Sequence, residues 1–232
     1  MDTDMTPPGP GRKTGPKPKF TTADVVDAAL EIGIDRFTMA NVAKKVGVGA
    51  PSLYRLFDSR DDLVGACLEE IAHSNPWKPT TQRDVITWPD LLRKWSKYCW
   101  DLCEKYPGFA LTLFTYPFPQ VHFFKVFPHI LEDFKNAGLD EDILLYALDF
   151  IGDTVITINL SLATYRTPAE DDNRRKLLKK NFELSNQQLA QDLTATMRST
   201  DLYRDLVVPK TDFIIAALEA GIRPNEQWPP RG

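Results

Sequence analysis

Between Lys44 and Arg55 the chain reads KKVGVGAPSLYR, which puts two lysines, a serine, a tyrosine and an arginine close together. These side chains donate hydrogen bonds and carry positive charge, the chemistry that meets phosphate oxygens. Arg12, Lys13, Lys17 and Lys19 extend the same chemistry upstream. The sequence offers no catalytic constellation to match. It has no nucleophile elbow, no H-E-x-x-H pair and no glycine-rich loop for a nucleotide. The histidines are His73, His122 and His129, and no two share ligand spacing on one helix. We therefore expect no metal site, no cofactor and no catalytic residue, and at most one polar role in a pocket among these histidines. Cys67, Cys99 and Cys103 are too few for a disulfide framework and read as core thiols of a protein in a reducing cytoplasm.

Charge is unevenly spread. Arg12 to Arg55 holds eight basic and four acidic residues, a balance of +4. The whole chain is −4, so the remainder must sum to −8. A basic head on an acidic body fits one nucleic-acid face and a second face with another task. The sequence lacks a run of 18 apolar residues, and its start has no apolar signal core, so no membrane is expected as a partner. Residues 1–19, rich in Pro, Gly and Lys, read as a disordered basic arm.

Helices must position the head's polar groups. Thr21 or Thr22 can cap a first helix to about Ile32, with Gly33 behind it. Thr38 caps a short second helix with Met39, Val42, Ala43 and Val46 inward, and Gly47 stops it. Gly49 allows a tight turn, and Pro51 sits in the first turn of a third helix reaching about Phe57. Asp58 or Ser59 caps a fourth, from Arg60 to about His73. Such short helices must share one core, assigned to Val26, Ala29, Leu30, Phe37, Val42, Ala43, Val46, Val48, Leu53 and Phe57. Two short helices across a glycine turn form the helix-turn-helix pattern. Its second helix enters a major groove of double-stranded DNA. Ala50, Pro51 and Ser52 then lead at the base edges, with Tyr54 and Arg55 at phosphates. Lys44, Lys45 and the helix end at Thr38 add backbone contacts, and Lys17 and Lys19 belong to an arm along the backbone or minor groove.

The stretch FTMANVAKKVGVGAPSLYRLFDSRDDLVGACL resembles the DNA-binding domain of the tetracycline-repressor (TetR) family of bacterial transcriptional regulators, over residues 20 to 68. The resemblance rests on Thr38, Val42-Ala43, Gly47-Val48, Ser52-Leu53-Tyr54, Phe57, Arg60 and Leu63. It implies that Tyr54 touches phosphate and that Ala50, Pro51, Ser52 and Arg55 face DNA. Gly49 stands where many members carry a capping serine, and Leu56 where many carry histidine. GLDEDILLYALDFIGDTVI (138–156) and TDFIIAALEAGI also resemble helices of the tetracycline-repressor type of C-terminal domain. That likeness implies a homodimer joined by a four-helix bundle.

The expected fold is all-α. An N-terminal three-helix helix-turn-helix domain (20–66) precedes a larger helical ligand-binding and dimerisation domain (67–232). In the body, helices are expected over Pro89–Lys105, Phe109–Tyr116, Gln120–Ala137 with a kink at Pro128, Asp140–Tyr165, Glu170–Arg198 and Thr211–Ala220. The apolar surface of Asp140–Tyr165 is wider than one stripe, so the helix is either central in one chain or shared with a partner. The partner reading assigns Leu144, Leu148, Ile151, Gly152, Val155, Phe213 and Ala217 to dimerisation, with Gly152 allowing close backbone approach. The many rings of the body suggest a pocket between helices. Trp95, Tyr98, Phe114, Phe123, Phe127 and Phe150 are assigned to it, with Thr154 and Asn159 as polar handles. Such a pocket suits a flat, apolar small-molecule effector rather than a magnesium–tetracycline chelate. The functional expectation is a dimeric repressor released from a palindromic operator by its ligand, through the Arg60–His73 helix. A ligand-assisted activator and a helical protein-interaction module are the alternatives.

Overall fold

The computed structural model describes residues 20–78, 86–166, 176, 180 and 201–224. Among these the regular elements are helical. Helix α1 (Thr22–Ile32) begins at a reciprocal cap: the Thr21 N–H donates to Asp24 Oδ2 at 2.7 Å, and the Asp24 N–H donates to Thr21 Oγ1 at 3.2 Å. Helix α2 (Met39–Val46) repeats the device with Thr38 and Asn41. Gly47 ends it in the left-handed region at φ 79°, and the Val48 N–H reaches back to the Ala43 carbonyl. Helix α3 (Ala50–Leu53) follows, then α4 (Arg60–Ser74), capped by Ser59.

Helix α3 is shorter than the expected run to Phe57. Gly49 gives it no side-chain cap, and Tyr54 already closes it, so one turn is all that forms. Leu53 and Phe57 still anchor it, because both are buried. Of the expected head core, Leu30, Val46 and Val48 are only partly buried. The core also does not end with the head. Val64, Cys67, Leu68 and Ile71 of α4 carry it onto Leu102, Cys103, Phe109 and Ala110 of the body.

Two features fix this junction. Arg60 donates from Nε to the Phe37 carbonyl at 3.0 Å and from Nη2 to the Asp35 carbonyl at 2.9 Å, with its guanidinium over the Phe37 ring. One side chain thus ties α4 to the loop before α2. Gly108 sits at φ 83°, where a Cβ would lie 1.9 Å from Asp35 Oδ1. Only glycine lets the body come this close to the head.

The body continues with α5 (Trp88–Lys105), α6 (Phe109–Thr115), a 3₁₀ segment (Pro119–Phe123), α7 (Phe127–Asn136) and α8 (Glu141–Arg166). A π segment (Tyr203–Val207) leads into α9 (Val208–Glu219). The expected Gln120–Ala137 helix is two pieces. Pro128 lies in the first turn of α7, where its missing N–H costs nothing, so it starts a helix rather than kinking one. The expected Glu170–Arg198 helix lies outside the described residues but for 176 and 180.

Helix α8 packs along α5 and carries one buried stripe: Leu144, Ala147, Leu148, Ile151, Val155, Ile158 and Leu162. This corrects the dimer assignment for Leu144, Leu148, Ile151 and Val155, which lie in the core of their own chain. The segment Glu141–Leu162 is long and apolar enough to cross a membrane by length and composition. Its buried stripe against α5 and its acids Asp149 and Asp153 are those of a core helix with one wet side. Polar groups buried in the body are paired: Trp77 Nε1 donates to Asp133 Oδ2 at 2.8 Å, and Ser96 Oγ lies 3.0 Å from Thr211 Oγ1.

Candidate nucleic-acid interface and ligand cavity

The turn Gly47–Gly49 sets α3 against α2 and leaves one side of both exposed. Pro51, Tyr54, Arg55 and Leu56 face outward on α3 and the turn behind it, with Ala50 and Ser52 half-buried beside them. Thr38 and Lys44 are exposed on α2. Lys45 is exposed too, but its Nζ rests 2.6 Å from Glu31 Oε2. An exposed pair of this kind is worth little and opens readily toward a stronger anion. The exposed Tyr54 and Leu56 have no intramolecular packing reason to be there, since Leu53 and Phe57 already supply the inward anchors. Lys17 and Lys19 lie outside the described residues.

Beneath the head, a cavity of about 500 Å³ opens between α5, α6, the 3₁₀ segment, α7 and α8. Trp95, Tyr98, Phe114, Phe123 and Phe127 line it. Trp95 stacks on Tyr98 with centroids 5.8 Å apart, and its Nε1 donates to the Leu148 carbonyl at 2.9 Å. That bond satisfies the indole and pins the ring as a wall. Burial pushes the Tyr98 phenol well above its ordinary range, so the hydroxyl stays protonated and donates to the Asn75 carbonyl at 2.8 Å.

Three assigned pocket residues lie elsewhere. Phe150 stacks on Tyr146 at the outer side of α8, and Thr154 Oγ1 donates to the Phe150 carbonyl at 2.7 Å. Asn159 is buried, with Nδ2 donating to Glu104 Oε1 at 2.6 Å. The reason is helical phase. The side of α8 that meets the cavity runs through Glu141, Asp142, Leu145, Leu148, Asp149, Gly152, Asp153 and Ile156. The repeat Asp142, Asp149 at i,i+7, with Leu145 and Gly152 in step, carries that phase in the sequence. Gly152 lies on this cavity side too, and a Cβ there would meet no atom of its own chain within 4 Å, so the glycine opens space at the cavity wall. Of the other residues assigned to dimerisation, Phe213 is 74% exposed and Ala217 is half-buried on α9.

The 3₁₀ segment separates the cavity from α4. Pro119, Gln120 and Phe123 face the cavity, while His122 packs on α4. His122 Nδ1 lies 3.3 Å from Glu69 Oε1. A Cβ on Gly65 would stand 3.0 Å from both the His122 ring and the Tyr116 hydroxyl, so the segment sits directly on the α4 backbone. Phe118, just before the segment, holds a left-handed backbone at φ 50°, the single such non-glycine residue among those described. Cys67 and Cys103 are free thiols, pushed up to about 12 by burial, in keeping with core roles. Among the described residues no cluster of potential ligands for a metal ion is found.

Residues 26–67 match the family model described as bacterial regulatory proteins, tetR family. No curated protein matches the sequence. The fold is similar to that of the TetR family protein ActR of Streptomyces coelicolor, solved in complex with actinorhodin. The TM-score is 0.63 at 18% identity, over 88% of this chain and 99% of that one. A possible TetR family transcriptional regulator from Streptomyces coelicolor A3(2) gives 0.62 at 20% identity, over 88% and 98%. TetR from Acinetobacter baumannii AYE gives 0.56 at 17% identity, over 88% and 96%. Residues 26–67 thus form a DNA-binding head of the kind that defines the tetR family of bacterial regulatory proteins, and the whole architecture shares its fold with solved members of that family.

Proposed function

We propose that this regulator is a repressor that binds a palindromic operator as a homodimer and is released by a flat apolar effector held in the cavity. Residues 20–66 read the DNA, and residues 67–232 bind the ligand and dimerise. Ala50, Pro51 and Ser52 meet base edges, while Thr38, Lys44, Lys45, Tyr54 and Arg55 hold the phosphates, with Lys17 and Lys19 following the backbone. Trp95, Tyr98, Phe114, Phe123 and Phe127 clasp the effector between ring faces. The likeness in fold to ActR, solved in complex with actinorhodin, supports a small-molecule ligand for this fold.

The observation that carries the reading is the double contact of the 3₁₀ segment. One side lines the cavity and the other rests on Gly65 of α4. A ligand that displaces Phe123 moves His122 against α4, and Arg60 passes that movement to the loop before α2. Two heads set for successive major grooves then lose their common spacing. In thermodynamic terms the ligand binds the non-operator spacing more tightly, and operator affinity falls by the same factor. Nothing in this scheme is catalytic, in keeping with a family of regulators.

Footprinting on the DNA that flanks its own gene tests the proposal. Protection of two half-sites about one helical turn apart, erased by a flat aromatic compound, is expected. Protection of a single site, or protection that no such compound weakens, contradicts it.

A further inference from the structure

The effector cavity has a one-sided electrical character. Its floor and far wall are aromatic, whereas its polar groups come mainly from α8 as four carboxylates: Glu141, Asp142, Asp149 and Asp153. Among the described residues no lysine, arginine or histidine lines it. Among the described residues none of the four carboxylates is in an ion pair, although exposed acids elsewhere on the body, such as Asp90, Asp101 and Asp212, are paired with arginine or lysine. We propose that the effector is a lipophilic cation: a flat aromatic amine or iminium whose rings lie against Trp95 and Phe127 while its positive charge faces Asp149 and Asp153. This rests on the reading of the cavity as the effector site, and adds the charge of the ligand to it.

Three physical arguments support the sign. Aromatic faces are negative, so a wall with Trp95, Tyr98 and Phe127 at centroid separations of 5.8 and 6.3 Å attracts cations as well as apolar rings. The start of α8 would by itself favour an anion, but Glu141 and Asp142 already occupy its first turn and cancel that preference. Partial burial, and then the neighbouring Asp149, hold the Asp153 carboxyl above its ordinary range, as befits an acid beside an apolar cavity without a cation. A bound cation relieves both burdens, whereas an anionic ligand adds to them.

A charge series on one ring system tests this with the full-length protein. N-methylacridinium, acridone and acridine-9-carboxylate are cationic, neutral and anionic probes of similar shape. Binding is followed by their fluorescence anisotropy and by quenching of tryptophan emission. The cation is expected to bind about tenfold or more tighter than acridone, with the anion weakest, and added salt should narrow the gap. In Asp149→Asn/Asp153→Asn the cation should lose most of that advantage while acridone binding stays put. Circular dichroism melting of the variant checks its fold, and the wild-type series stands without it. Equal binding of all three probes, or preference for the anion, overturns the cationic assignment and leaves the cavity as an effector site. Failure of every probe to bind overturns both.

Discussion

Arg55 and Tyr54 project where no contact of their own chain needs them, which makes them the sharpest single-residue tests of the DNA face. A phosphate contact positions the protein without reading sequence. Arg55→Ala should therefore weaken binding to specific and unrelated DNA alike, and lower the salt dependence of log K by about one unit. Titrations at several salt concentrations check this, and an unchanged slope would remove Arg55 from the interface. Asp153 offers a test of the cavity wall. Burial holds its carboxyl above the ordinary range, so ionisation opposes folding. That burden is absent below the unfolded carboxylate range, where the group is neutral in both states, and sets in as pH rises through the folded value. Asp153→Asn should raise the melting temperature slightly near neutral pH and leave it unchanged in acid. Denaturation at two pH values decides it.

At the scale of elements, much was legible because helix ends are written in short local signals. Thr21, Thr38 and Ser59 cap where their hydroxyls permit, and Gly47 and Gly108 sit where the backbone turns left-handed. Trp95 and Tyr98 line one cavity together because i,i+3 neighbours share a helix face, a relation the spacing alone makes visible. The phase of α8 was not legible. Its apolar residues surround the helix, so Leu144 and Phe150 look equivalent in sequence, and only packing against α5 separates the core stripe from the cavity side. The 3₁₀ segment was also hidden, since Pro119 and Pro128 read as an interruption and a kink until the chain around them is folded. That segment carries the coupling prediction. His122→Ala removes the side chain resting on Gly65 and leaves the cavity lining intact. DNA affinity and ligand affinity should each change by less than about twofold, well under the ~1.4 kcal/mol of a tenfold effect. The ligand's power to weaken DNA binding should fall sharply. Retention of the full response in anisotropy titrations would route the signal elsewhere.

For the whole molecule, the basic head and acidic body divide the labour between two sites that meet through α4. The proposed reading of a palindrome needs two copies, and the outer side of α9 is the face proposed to join them. Phe213 is 74% exposed there, a large ring without a partner in its own core. Phe213→Asp should shift the protein to monomers in analytical ultracentrifugation and reduce operator binding at least tenfold, because a single head reaches only one half-site. A dimer that survives this change would place the two-fold axis on another face.

Ligand-released repression depends on the linkage between cavity and head. The decisive measurement is a closed thermodynamic square on the full-length protein with the flanking DNA and a flat aromatic cation. DNA affinity is measured with and without the compound, and compound affinity with and without DNA. Each ligand is expected to weaken the other by the same factor, about tenfold at least. Tight binding of both with no mutual effect would leave two sites in one fold with nothing between them, and would contradict the account.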